Sequence, residues 1–272
     1  MSLSWVKIST IVFSLWAISA QAKEITVVGT HPYDENYMGK LDCWKEAEID
    51  AAKKAMSEEG LQKVSYLDMD ICSETENFAS CSLHSEILSF ITGGFIANSN
   101  ILERGVARQG DINVCTVKLS ATVKRYKRAP DPEFNLSVKL MGSSLLRDGE
   151  SFTVVGETSK NSFVQMFAWY PNTEGQKYFR IYPNEYDREN EVIGEFRVPS
   201  QNPLRSYELK AEFPKEQKED VVSEFIVLLA SKIQVSFFED QSAQEFFKKL
   251  DEIGRDNWEL KIVGYSVMRK KT

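Results

Sequence analysis

The chain reads as an α+β protein. It predicts a helix packed on a small antiparallel sheet, then a mainly β, sandwich-like unit with a C-terminal helix. Three observations carry this. Residues 41–59 repeat apolar and small residues every three or four positions, between segments that alternate with period two. Beyond Pro130 and Pro132, short β-patterned segments recur with turn residues between them. A second helical pattern, over 243–253, stands just before the last strand.

The chain opens on a segment of another kind. Lys7, the apolar run over 8–18 and the small-x-small site Ala20-Gln21-Ala22 have the order of a secretory signal peptide over residues 1–22. The run falls short of the roughly 20 apolar residues that a spanning helix needs. No cysteine follows to take a lipid. The expectation is export to the periplasm, or beyond the outer membrane, with no membrane insertion after cleavage. Three parts then follow: a disulfide-bridged α+β unit over 23–128, a linker over 129–133 and a mainly β unit over 134–272.

In the first unit, residues 25–29 predict a strand ending at Gly29. Trp44, Ala47, Ala51 and Ala55 form the stripe of the following helix, with Asp42 as N-cap and Gly60 as stop. Alanine on that face lets a helix sit close to a sheet. Residues 62–72 alternate in two phases, which a strand with a bulge near Leu67 explains. A short helix over 83–90 and strands over 97–108 and 112–127, joined at Gly110-Asp111, complete the unit. Cys115, Val117, Leu119, Ala121 and Val123 share one face of the last strand.

All four cysteines, Cys43, Cys72, Cys81 and Cys115, lie in this unit. Their wide spacing does not suit a zinc site, whose ligands usually pair two to four residues apart. In an oxidising compartment an even, clustered count predicts disulfides. The preferred pairing is Cys72–Cys81, which closes a short loop, with Cys43–Cys115. The second pair follows because Cys115 lies on the core face, where a helix beginning near Cys43 would meet it.

In the second unit, strands are predicted over 136–140, 151–156, 162–170, 177–182, 194–198, 206–213 and 225–231. Periodicity leaves 225–230 open between strand and helix. Ser242 and Glu245 make a capping box for the helix over 243–253, and Gly254 ends it. Residues 258–268 close the chain as a strand.

Bulk charge narrows the partners. The net charge is −7, and removing the leader, with one lysine and no acid, leaves 32 basic against 40 acidic residues, or −8. An acidic protein is a poor match for nucleic acid or anionic lipid. The one dense basic run, 124–128, reads as a solvated strand end. No nucleophile elbow, zinc-protease motif, phosphate-binding loop or redox cysteine pair occurs. The mature chain holds two histidines, His31 and His84, both read as ordinary surface or cap residues. The acids Glu185, Asp187, Glu189 and Glu191 lack calcium-loop spacing and read as a solvated loop. No catalytic residue, metal ligand or cofactor is therefore assigned.

The densest aromatic feature is the hairpin over 163–182. Phe163, Phe167 and Trp169 share a strand face, so most of these rings should be core. The remainder, with Trp169, Tyr170, Tyr178, Tyr182 and Asn184 as candidates, would line a groove for glycan or peptide.

Two resemblances add to this reading. The strand ending in Val28-Gly29, the stripe Ala47, Ala51, Ala52, Ala55 closing at Gly60, and the segments Phe95-Ile96-Ala97-Asn98, Ile101-Leu102, Gly105-Val106 and 114–123 carry the first. Residues 24–127 resemble the N-terminal domain of the bacterial flagellar assembly protein T and related envelope lipoproteins. The resemblance implies a helix on an antiparallel sheet that serves assembly of envelope machinery. The second rests on the run 146–151, the hairpin with its ending Ile181-Tyr182-Pro183-Asn184, and residues 226–231. Residues 134–240 resemble the family named domain of unknown function 4384, which implies a β-sandwich interaction module. The expected role is a non-enzymatic periplasmic accessory that binds another envelope protein. The alternative is a glycan- or peptide-binding module built on the hairpin.

Overall fold

A computed structural model describes residues 23–35, 39–61, 93–170, 177–200, 207–214 and 220–270. The leader, the 62–72 strand, the 83–90 helix, His84 and the Cys72–Cys81 pairing lie outside the described residues.

Among the described residues, the first unit is a three-stranded antiparallel sheet in the order β1-β3-β2, with one helix on it. Its elements are β1 (Lys23–Tyr33), α1 (Lys40–Glu58), β2 (Gly94–Gln109) and β3 (Ile112–Arg125). The alternation read in β3 is real: Cys115, Val117, Leu119, Ala121 and Val123 are all buried toward α1. On the helix, Ala47, Ala51 and Ala55 have no exposed surface. They let α1 lie so close that a Cβ on Gly29 would stand 1.9 Å from the Ala47 carbonyl oxygen. Gly60, at φ 66°, ends the helix as expected. The N-cap is Gly39, not Asp42. Gly39 is extended and the helix begins at Lys40, three residues before an Asp42 cap would start it. Cys43 and Cys115 are joined as a disulfide.

The second unit is one large curled sheet in the order β11-β7-β6-β10-β12-β5, with β4, β8 and β9 also on β6. Its strands are β4 (Leu136–Met141), β5 (Leu145–Arg147), β6 (Ser151–Tyr170), β7 (Lys177–Tyr182), β8 (Glu191–Val198), β9 (Leu209–Lys210), β10 (Val221–Ser231), β11 (Asp240–Gln241) and β12 (Trp258–Met268). A helix, α2 (Ala243–Ile253), covers part of one face. The fold is α+β with β-rich character.

β6 is the spine. The sequence suggests two strands there, over 151–156 and 162–170, yet one strand runs through. Its N-terminal half pairs with β4 and β8, its C-terminal half with β10 and β7. β8 pairs with β6 on both sides of the polar stretch between Thr158 and Ser162, with an irregularity in the ladder between them. β10 resolves as a strand, and Ile226 to Ser231 are buried on both faces. That double burial erases the alternation that would have identified it. Of the strand expected over 206–213, the described residues 207–213 form a strand only at Leu209–Lys210.

The sheet separates two cores. Inside the curl lie Val164, Met166, Ile226, Leu228 and Val267. On the other face, Phe167, Trp169, Val227 and Leu229 meet Phe246, Phe247 and Leu250 of α2. α2 keeps its capping box: Ser242 N donates to Glu245 Oε2 at 2.9 Å and Glu245 N to Ser242 Oγ at 3.3 Å.

The two sheets share this second core. Phe95 of β2 is buried in it, 6.3 Å from the Phe247 ring, and Tyr126 meets Trp258 edge-on at 5.4 Å. Arg128 pairs with Asp256 at 3.2 Å. The 129–133 segment is pinned as well: Asp131 accepts from Lys160 at 2.8 Å and from Lys232, whose ammonium lies 5.2 Å over the Phe134 ring. It works as a clasp rather than a free tether.

Candidate functional site

Three aromatic candidates of the hairpin face inward, whereas Phe179 is exposed. Trp169 is 2 % exposed, Tyr178 1 % and Tyr182 4 %. Tyr178 stacks on Phe246 of α2 with ring centroids 4.4 Å apart and 4° between planes, and on Trp169 at 6.1 Å. Burial pushes the Tyr178 and Tyr182 phenols well above their usual range. Tyr182 donates to the Glu189 carbonyl at 2.6 Å. The groove expectation for these three residues is therefore corrected: a stacking platform needs a free ring face, and α2 and the sheet occupy theirs. Asn184 has a structural role. Its Nδ2 donates to the Ile181 carbonyl at 3.0 Å, and its Oδ1 accepts from Tyr186 N and Asp187 N at 2.9 Å each, an Asx-type turn. The Tyr170 backbone pairs with Lys177 at the strand end.

The remaining sequence candidates are scattered. His31 sits opposite Cys115 in the β1–β3 ladder, and burial holds its pKa low against the pull of Asp50. Glu185, Glu189 and Glu191 are exposed, but Asp187 is buried and accepts from Ser200 N at 2.9 Å. It locks the loop instead of being solvated with the other three acids. Of the basic run, Lys124, Arg125, Lys127 and Arg128 are exposed.

A group that sequence reading did not single out is Glu224. Its register on β10 gives it the parity of Val222, Ile226 and Leu228, which line the inside of the curl. Burial and the nearby Glu212 push its carboxyl up to about 7, while the Tyr265 hydroxyl, 3.4 Å away, opposes the rise. Such a carboxyl exchanges its proton near neutrality; the described groups beside it are the Tyr265 hydroxyl and Glu212.

The surface best suited to a partner is β2. No described strand pairs with its outer edge, because the order β1-β3-β2 leaves it terminal. From Asn98 to Gln109 nearly every residue is exposed, in contrast to the buried Gly94 and Phe95. α1 lies mainly over β1 and β3. Leu102 is 55 % exposed, Val106 43 % and Ile101 36 %. The ladder slips between Ile101 and Glu103, so Leu102 is an extra residue. Trp44 of α1 donates its indole N–H to the Gly105 carbonyl at 2.9 Å, and Arg104 reaches Glu48 at 3.6 Å. These contacts hold the strand in place at mid-length. A long edge strand with apolar side chains is a template for another chain. The signal was present in the sequence: Ile101 and Leu102 are adjacent and Gly105 interrupts, so neither face of 98–109 offers a continuous apolar stripe.

No family model, curated protein or solved structure matches the chain.

Proposed function

We propose that this is an exported, non-enzymatic accessory protein that binds another envelope protein. The exposed edge strand β2, carrying Ile101, Leu102 and Val106 on a clasped and disulfide-tied body, is the observation that supports the reading. Among the described residues nothing pairs with its outer edge, and an edge of this kind suits an interaction module. The export pattern in residues 1–22 and both sequence resemblances point the same way. The test is site-specific photocrosslinking from position 102 in the full-length exported chain, in intact envelopes. One recurrent envelope protein should be captured, and Ile101→Lys with Val106→Lys should abolish capture while thermal unfolding stays unchanged. Recovery of no protein partner would overturn the reading.

A further inference from the structure

The face of β2 has a chemical pattern that specifies its occupant. The ladder sets Ile101 opposite Leu119, Arg104 opposite Val117, Val106 opposite Cys115 and Arg108 opposite Asn113. Leu119, Val117 and Cys115 all point toward α1. One face of the edge strand therefore presents apolar, basic, apolar and basic side chains in succession. Arg104 already takes a carboxylate, Glu48, at 3.6 Å, with both side chains more than a third exposed. The opposite face is unlike it, carrying Glu103, Gly105 and Ala107.

We infer that β2 accepts an extended segment of its partner as a fourth strand, and that this segment places acidic and apolar residues alternately on one face, as acid-x-apolar-x-acid. This rests on the protein-binding reading and names the class of partner. Strand addition takes its affinity from main-chain hydrogen bonds and its selectivity from every second side chain. Here Arg104 and Arg108 select acids four residues apart, and Val106 selects the apolar residue between them. The pattern is symmetric about its apolar residue, so it fits a parallel or an antiparallel arrival. Trp44 and the β3 ladder hold β2 extended beforehand, which lowers the ordering cost of binding.

The probes are two labelled, end-capped heptapeptides, Thr-Asp-Thr-Val-Thr-Asp-Thr and its counterpart with both aspartates replaced by lysine. They are titrated onto the full, disulfide-bonded mature chain and read by fluorescence anisotropy. The acidic peptide should bind at least about ten-fold tighter at low salt, with the preference shrinking as salt rises. Arg104→Glu with Arg108→Glu should reverse the order, and full N-methylation of the acidic peptide should abolish binding. Equal binding of both peptides, or none, overturns the inference. So does a crosslink from position 102 to another part of the same chain or to a second copy. If position 102 captures a different envelope protein while the peptides show no preference, strand addition fails and the protein-binding reading stands. If both results are negative, both fail.

Discussion

Cys43, in the first turn of α1, and Cys115, near the start of β3, are bridged with Cα atoms 5.9 Å apart across 72 residues of sequence. Both are fully buried, next to Ala47 and Val117. The bridge ties the helix to the sheet where the core is built mostly from small side chains. A loop of that length predicts about 4 kcal/mol from restriction of the unfolded chain. Cys43→Ala with Cys115→Ala should lower stability by about 2–4 kcal/mol in urea unfolding, with the midpoint falling and α1 helicity lost first by circular dichroism.

Gly29 tests the closeness of helix and sheet. A methyl group there would meet the Ala47 carbonyl oxygen at 1.9 Å and the Ala51 nitrogen at 2.4 Å, both backbone atoms that cannot swing away. Gly29→Ala should therefore cost about 3 kcal/mol, at the upper end of overpacking effects. Thermal unfolding of the purified variant measures it. An unchanged melting temperature would mean that α1 does not lie this close to β1.

Glu224 should make the second unit pH-sensitive on the neutral side. Its folded pKa, about 7, stands above the ordinary value of 4.5. Folding thus favours the protonated form. The associated stability is complete below about pH 4.5 and is lost as pH rises through 7. That difference corresponds to about 3 kcal/mol. Glu224→Gln should remove this slope and leave the variant about 2 kcal/mol more stable than the parent at pH 8, read from denaturation midpoints across pH 5–8.

Asp131 should act in the acid range with the opposite sign. The ammonium groups of Lys160 and Lys232 hold its carboxyl well below the usual carboxylate range. Its contribution is present above the unfolded value, about 3.9, and fades as pH falls below it. Asp131→Asn should flatten the acid limb of the stability profile and loosen the seam between the sheets. The melting temperature between pH 2 and 5 reads the first effect. Quenching of Trp258 fluorescence, beside Tyr126 at that seam, reads the second.

Several elements were legible from local pattern. The 3.6-residue stripe placed α1, the Ser242 and Glu245 box placed α2, and alternation placed β3 with Cys115 on its core face. β7 and β12 match their expected spans residue for residue. Each of these carries its own signal, because one face is buried and the other wet, or because a cap is a contact between near neighbours. β5 and β11 carry none, being only three and two residues long and formed by pairing alone.

Short-range order was thus written in spacing and residue type: which stretches coil, which extend, which side of each turns inward, and that Cys115 should meet Cys43. Long-range pairing settled the rest. It made β6 one strand, hid β10 on both sides, drew Trp169 and Tyr178 under α2, raised the Glu224 carboxyl and put β2 at the end of the described sheet. The division has a physical cause. Periodicity and capping act over a few residues, whereas the exposure and acidity of a side chain depend on groups brought close from distant parts of the chain.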